Sequence, residues 1–296
     1  MTERIIDLAE QPARLSIRNS CLVISRADEP ETTVPVGEVA VLSLAHPQIL
    51  LTQPVLGELA SAGAAVLVCD AKRMPAAMLF PLAGHFIQGE RFALQAAASL
   101  PSRKRLWQAI VRAKIRGQAE VLSQVRGHDA GLIALVAKVR SGDPGNVEAE
   151  AARRYWPALF LDRRFRRDRF AGRQNHLLNY GYAVLRAIVA RSVCAAGLHP
   201  SLGLHHHNRY DAFRLVDDLI EPFRPIVDRT VAEYCDTHGS DAPVDKQAKA
   251  ALITALMGTF KLGRQKRSLF DIAHRTAASL VAVFAGERRS LLLPEI

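Results

Sequence analysis

The chain has 296 residues, of which 49% are hydrophobic and 23% are charged, a balance typical of a globular protein with a sizeable core. Lysine and arginine total 39 against 29 acidic residues, so the net charge of +10 favours a polyanionic partner. No run approaches the roughly 18 apolar residues of a membrane-spanning helix, and the N-terminus lacks a basic region followed by an apolar one. These features exclude a membrane protein and predict a cytoplasmic location.

The four cysteines lie far apart in the sequence and form no CxxC pair. This spacing indicates neither a zinc site nor a disulfide framework. We expect core thiols at Cys21, Cys69, Cys194 and Cys235.

The first 85 residues show the alternation of strands. Arg14 to Arg18 alternates and Cys21 to Ile24 follows after Asn19-Ser20, which together predict a hairpin. Between two later strands, a short helix is predicted from Thr52, a candidate N-cap, to Gly63. The predicted strands are 14–18, 21–24, 38–44, 64–69 and 76–80.

From about residue 88 the apolar residues recur with helical spacing, and the loop Ser141 to Asn146 is the clearest break. The predicted fold is therefore α+β, with a small N-terminal β-sheet domain (1–85) and a larger all-α catalytic domain (86–296). The predicted helices are 88–99, 103–125, 129–139, 146–158, 174–196, 210–236, 244–261 and 266–284.

The helix after that loop begins with two acids, Glu148 and Glu150, behind Asn146 as a predicted N-cap. Taken alone, a first-turn acid is usually solvated and complements the helix dipole. Glu148 becomes a candidate ligand only in combination with other residues.

A second candidate element is the histidine run His205-His206-His207, which follows Gly203 in a segment that reads as a loop. Neutral imidazoles bind divalent metals, and three adjacent histidines rarely fill a core. The glycine is expected to let the backbone turn.

A third element contains Asp218 and Glu221, which at i and i+3 share one face of a helix, while Asp217 points away from them. Carboxylates together with a histidine suit Mg²⁺ or Mn²⁺, the ions that support phosphodiester chemistry. The simpler interpretation is that either acid pairs with a nearby arginine, Arg214 or Arg224.

These elements stand in an order that resembles the CRISPR-associated integrase, the first-numbered protein of CRISPR systems. The resemblance extends over about residues 80 to 228, and the histidine run and compact length are similar to the type II branch. It is carried by Glu148, Ala151-Ala152, Tyr155-Trp156, Asn175, Leu178 to Tyr182, Pro200, Gly203, His206, Asp218-Leu219, Glu221 and Phe223-Arg224-Pro225.

The resemblance implies a site and a reaction. Glu148, His206 and Glu221 would bind Mg²⁺ or Mn²⁺, and Asp218 would be a further active-site acid. Glu150 remains an alternative to Glu148, and His205 and His207 remain alternatives to His206. The implied activity is that of a metal-dependent DNA endonuclease and integrase, which inserts short foreign DNA segments into the CRISPR repeat array by transesterification during antiviral defence.

The resemblance also implies partners. They are double-stranded DNA, both the captured fragment and the CRISPR repeat, a second copy in a homodimer paired through the β domain, and the small second-numbered CRISPR-associated protein. The type II effector nuclease is a further candidate partner.

Two groups of basic residues would contact DNA phosphates without reading sequence. Two other functions fit the same composition: a non-catalytic basic DNA-binding scaffold, and a general metal-dependent DNA repair nuclease. The basic groups are Arg163, Arg164, Arg166, Arg167, Arg169 and Arg173, and Lys261, Arg264, Lys266 and Arg267.

Overall fold

The computed structural model describes residues 3–70, 75–81 and 83–296. Strands dominate before residue 80 and helices after it, which confirms the predicted α+β class. The first part contains β1 (Arg4–Leu8), β2 (Ala13–Arg18), β3 (Cys21–Ser25), β4 (Thr32–Pro35), β5 (Val39–Leu44), β6 (Ile49–Leu51), α1 (Gln53–Ser61), β7 (Ala65–Cys69) and β8 (Pro75–Leu79). The second contains α2 (Gln88–Ala96), α3 (Leu100–Arg126), α4 (Leu132–Val136), α5 (Val147–Leu159), α6 (Gln174–Ala195), α7 (Arg214–Ile220), α8 (Arg224–His238), α9 (Lys246–Leu256), β9 (Thr259–Leu262), β10 (Gln265–Ser268) and α10 (Leu269–Phe284).

The N-terminal strands form two four-stranded sheets, ordered β1-β5-β7-β8 and β4-β3-β2-β6. The predicted hairpin is β2–β3, and Asn19 and Ser20 turn it with φ of 51° and 57°. Positive φ at both central residues gives the turn a twist that matches the strands. The sequence did not predict β1, β4 or β6, which have only three to five residues and show no sustained alternation.

The helix predicted over 210–236 is wrong as a single helix. It divides into α7 and α8 around a 3-10 turn at Glu221–Phe223. Pro222 lacks the N–H that a continuous α-helical ladder requires, so the chain tightens at this point. The turn sets Glu221 at the junction of two helices.

The helices predicted over 244–261 and 266–284 are shorter than expected, because a hairpin of β9 and β10 lies between them. Gly263 turns the hairpin with φ of 60°. Glu295 forms a bridge with Lys261, so the C-terminal tail continues alongside β9.

Two apolar cores support the fold. The smaller core lies among the N-terminal strands and α1, with Leu15, Leu22 and Leu59 fully buried. The larger core lies among the helices and also takes in Ala40 and Val41 from β5. The proposed division into residues 1–85 and 86–296 stays a prediction.

Polar ties join the strands to the helices. Arg191 on α6 pairs with Glu3 at 2.5 Å and donates to the carbonyl of Gly63 at 2.8 Å. Lys249 on α9 is buried and lies 3.3 Å from Asp7 and 3.4 Å from Glu10.

All four cysteines are free, as the sequence predicts, but only Cys235 is buried and the other three are half-buried. Within residues 3–70, 75–81 and 83–296, none of the helices combines the length and apolar content that crossing a membrane requires.

Candidate metal centre

Three elements bring charged side chains to one point: α3, the start of α5, and the turn after α7. Lys114 Nζ on α3 lies 2.6 Å from Glu148 Oε1 and 2.5 Å from Glu221 Oε2. Two of the predicted ligands, separated by 73 residues in sequence, therefore converge on one nitrogen atom.

Glu148 is held in place by the capping of α5. Asn146 occupies the N-cap position with φ of 48°, but its side chain makes no capping hydrogen bond. Asp143 caps instead, because its carboxylate accepts hydrogen bonds from the N–H groups of Val147 and Glu148, both at 3.0 Å. The capping role that the sequence suggested for the Asn146 side chain is corrected, and Asp143 fixes the first turn.

Glu148 and Glu150 have different surroundings, although both lie in the first turn of α5. Glu150 forms a surface ion pair with Arg154 one turn later, at 2.5 Å. Glu148 instead pairs with Lys114, and these two residues together with Glu221 form the charged cluster of the site. Of the two acids that the sequence left open, the geometry places Glu148 beside Glu221.

Glu221 is buried and lies between two cations. Its Oε1 is 2.9 Å from Arg224 Nε, so the arginine pairing that the sequence allowed is present. Its Oε2 makes no hydrogen bond of acceptable geometry, although the Lys114 ammonium is close to it. Burial opposes ionisation of this carboxyl, but Arg224 and Lys114 outweigh burial and lower the pKa of Glu221 to about 2.

Lys114 completes the cluster and was not singled out from the sequence. Burial opposes its charge, but Glu221 and Glu148 outweigh burial and raise the pKa of Lys114. The residue lies seven positions from Trp107 and from Val121, both fully buried on α3. A cation in a buried helical stripe was the available signal.

His206 is oriented by Asp218, the least exposed acid of the site. Asp218 is fully buried and accepts backbone hydrogen bonds from Leu204, His205 and His206 at 2.5, 3.1 and 3.2 Å. Its Oδ1 also lies 2.7 Å from His206 Nδ1. Both oxygens of Asp218 are thus engaged in shaping the histidine loop.

The histidine loop lies against Trp107. The ring of His205 stacks on the indole at 4.2 Å between ring centroids, while His206 meets it edge-on at 5.6 Å. Burial lowers the pKa of His205, whereas the hydrogen bond to Asp218 raises the pKa of His206. His207 is exposed.

Gly203 matters because it has no side chain at a crowded point of the loop, and not because of an unusual φ. A Cβ there would lie 2.9 Å from Arg214 Cβ and 3.1 Å from Asp218 Oδ2. A larger residue would therefore crowd Arg214 and the Asp218 carboxylate that binds the loop amides.

A second buried carboxylate lies close behind the cluster. Asp228 on α8 accepts hydrogen bonds from the hydroxyls of Tyr155 on α5, at 3.0 Å, and of Tyr182 on α6. Burial raises the pKa of Asp228 to about 6 despite these hydrogen bonds. Arg224 connects the two groups, because its guanidinium lies 4.5 Å from the centre of the Tyr182 ring.

The donor chemistry suits a divalent cation. Two carboxylates converge on one point and an oxygen of Glu221 lacks a hydrogen bond, while the separate histidine loop supplies an imidazole whose Nδ1 is fixed by Asp218. In the part of the chain that is described, no three His, Cys, Asp or Glu side chains are placed closely enough to hold an ion as they stand. The ammonium of Lys114 takes the point between the two carboxylates.

The predicted basic groups differ in how freely they could meet DNA. Arg163, Arg164 and Arg169 are exposed, but Arg167 bonds Asn175 and Asn179 and therefore supports the fold. The second group lies on the β9–β10 hairpin. Two of its residues help to line a groove of about 920 Å³ beside α3, whose basic lining residues are Arg105, Arg112, Arg116, Arg229, Lys261 and Lys266.

Comparisons with known proteins agree with the resemblance seen in the sequence. Residues 7–253 match the family model described as "CRISPR associated protein Cas1". The "CRISPR-associated endonuclease Cas1" of Neisseria meningitidis serogroup C (strain 8013) is 38% identical over 293 residues, which cover 98% of this chain and 95% of that protein. This chain belongs to the CRISPR-associated protein Cas1 family.

Solved structures share the fold. A casposase bound to an integration product superposes with a TM-score of 0.80 at 17% identity, over 97% of this chain and 92% of that one. A Cas6-RT-Cas1–Cas2 complex gives a TM-score of 0.78 at 19% identity, over all of this chain and 36% of that one. These likenesses concern the fold.

Proposed function

We propose that this protein is a metal-dependent DNA integrase and endonuclease of CRISPR adaptation, which joins short DNA segments to the repeat array by transesterification. The observation that carries the proposal is the convergence of the Glu148 and Glu221 carboxylates on one point, with both side chains fixed by the fold. Family membership and the resemblance to a casposase bound to an integration product support the same reaction class.

Glu148, His206 and Glu221 would hold Mg²⁺ or Mn²⁺. When bound, such an ion would polarise the scissile phosphate and favour attack by a 3′-oxygen. Arg224 engages Glu221 Oε1 and leaves Oε2 as the available donor atom. Asp218 holds the His206 ring through Nδ1, which leaves Nε2 outside that hydrogen bond. We therefore assign Asp218 a positioning role and not a ligand role.

The partners follow from the same proposal. The exposed arginines between Arg163 and Arg173, together with the basic groove beside α3, would contact phosphates of the captured fragment and of the repeat. The neighbouring structure that contains Cas2 supports a small CRISPR-associated partner. A homodimer and contact with a type II effector nuclease belong to the proposal as the resemblance implied them.

Strand transfer into a repeat-containing plasmid tests the proposal. Glu148→Ala, His206→Ala and Glu221→Ala should abolish joining, while the affinity for DNA stays largely intact. Arg154→Ala is a matched control, because it removes a surface ion pair on the same helix without touching the cluster. Undiminished integration by the Glu148 variant would remove that residue from the site.

A titration with Mn²⁺ on branched DNA separates the other functions. A DNA-binding scaffold would bind without responding to the metal. A repair nuclease would cleave the branch but show no preference for joining ends to a repeat.

A further inference from the structure

We propose that Lys114 is a built-in competitor of the divalent ion: its ammonium occupies the position between Glu148 and Glu221 that the ion would take. This inference rests on the proposed metal site and adds a residue that regulates how tightly the site binds metal. Lys114 would be a positioning residue that keeps the two carboxylates together and yields to the cation.

The distances support one shared position. Lys114 Nζ lies 2.6 Å from Glu148 Oε1 and 2.5 Å from Glu221 Oε2. Magnesium binds carboxylate oxygen at about 2.0–2.1 Å. An ion at the position of the nitrogen would require each oxygen to move by only about half an ångström. The ammonium and the ion therefore compete for the same two atoms.

The charges support displacement rather than coexistence. Glu148 and Glu221 carry two negative charges and Lys114 and Arg224 carry two positive charges, so the charges of these four side chains sum to zero. A divalent ion added beside the Lys114 ammonium would raise this local sum by two positive charges, an arrangement that a poorly solvated site disfavours. Lys114 can relieve this repulsion, because 13% of its side chain is exposed and its four-carbon stem is flexible.

Arg224 is less suited to the same role. Its guanidinium pairs with Glu221 Oε1 at 2.9 Å and packs over the Tyr182 ring, so it is anchored on two sides. Among the ion pairs of the described residues, Arg224 contacts Glu221 but not Glu148. Lys114 is the cation that joins them.

Lys249 offers a matched comparison within the same chain. It is a buried lysine that also lies near two carboxylates, with Nζ 3.3 Å from Asp7 and 3.4 Å from Glu10. Those acids belong to the N-terminal segment and have no place in the proposed site. Replacing Lys249 should therefore cost stability without changing metal binding.

The experiment measures Mn²⁺ binding to the full chain without DNA, by electron paramagnetic resonance of free Mn²⁺. Lys114→Met should bind Mn²⁺ at least about tenfold more tightly than the wild type, because the competitor is gone. Lys114→Gln, which keeps a polar head group, should change binding in the same direction. Lys104→Met makes the same substitution at an exposed position of α3 outside the basic groove and should match the wild type within about twofold.

Thermal unfolding in EDTA and in Mn²⁺ gives an independent reading. Lys114→Met should have a lower Tm than the wild type in EDTA and should recover more of it in Mn²⁺, since an ion that binds the native state stabilises it. Lys249→Met should lose Tm without this recovery.

The outcomes separate the two proposals. If the wild type binds Mn²⁺ but the Lys114 variants bind it equally or more weakly, the role of Lys114 is overturned and the metal site stands. If Mn²⁺ binding tightens as much in Lys104→Met as in Lys114→Met, net charge explains the effect and the proposal also fails. If neither the wild type nor any variant binds Mn²⁺, the metal site itself is refuted, together with its competitor.

Discussion

Glu221 and Asp228 are buried carboxylates only seven residues apart, yet their surroundings are opposite. Glu221 faces Lys114 and Arg224, and these cations lower its pKa to about 2. Asp228 receives hydroxyl groups from Tyr155 and Tyr182, and burial raises its pKa to about 6. Burial is nearly the same for both acids, so the charge of the partners decides which acid remains firmly ionised.

The difference in surroundings gives Glu221 and Asp228 different roles. An ionised carboxylate with one displaceable cation beside it, Lys114, is ready to accept another cation. A carboxylate held by two tyrosine hydroxyls joins α5, α6 and α8 in one buried network. Glu221 is therefore suited to binding a cation, whereas Asp228 is suited to holding the surrounding helices together.

The largest expected effect separates these roles by activity. Glu221→Gln should lower strand transfer at pH 7 by at least about 100-fold, since changes in groups that only support metal ligands already cost 10–100-fold. Asp228→Asn keeps the shape of its side chain and should retain activity within about tenfold. Equal losses in both variants would show that the two acids do not differ in function.

The next effect is the pH dependence that Asp228 imposes on stability. Its pKa of about 6 in the folded protein lies above the ordinary aspartate value of 3.8, so the unfolded chain releases this proton first as pH rises. Its contribution should therefore fall between about pH 4 and pH 6, by at most about 3 kcal/mol, and level off above that range.

Denaturant unfolding of the wild type and of Asp228→Asn from pH 4 to pH 8 isolates this contribution, since other titrating groups largely cancel in the difference. The stability of the wild type relative to the variant should decline across pH 4–6. A difference that stays flat, or that rises with pH, contradicts the assigned environment of Asp228.

A smaller effect tests the tyrosine partners one at a time. Tyr155→Phe and Tyr182→Phe each remove one hydroxyl from the Asp228 carboxylate, and each should lower the free energy of unfolding at pH 7 by about 1–3 kcal/mol. Tyr182→Phe keeps the ring under Arg224. In a double-mutant cycle the two losses should not add, because both hydroxyls bind one group. Additive losses would indicate independent roles.

The sequence predicted the strands and helices whose apolar period is long, and it predicted the hairpin turn at Asn19-Ser20. It failed where a local feature overrides the period: Pro222 breaks one predicted helix, and Gly263 turns a hairpin between two others. Helical spacing could pair Asp218 with Glu221, but it could not bring in Glu148.

The candidate site depends on contacts that are distant in sequence. Lys114 lies 34 residues before Glu148, and the Asp228 network connects residues 73 and 46 apart. Family resemblance supplied Glu148 and His206, whereas the contacts of Lys114 and Asp143 are visible only in the fold. The sequence carries one signal for Lys114, because a charged residue there interrupts a buried helical stripe.

The smallest effect extends the comparison to an acid whose partners are backbone amides. Asp143 is buried and caps α5 through the N–H groups of Val147 and Glu148, whereas Asn146 contributes only its left-handed backbone. Asp143→Ala should cost about 1 kcal/mol of unfolding free energy. Asn146→Gly should change it by no more than about 0.5 kcal/mol, because glycine adopts positive φ freely. Chemical denaturation of both variants measures the contrast, and a larger loss at Asn146 would return the capping role to that residue.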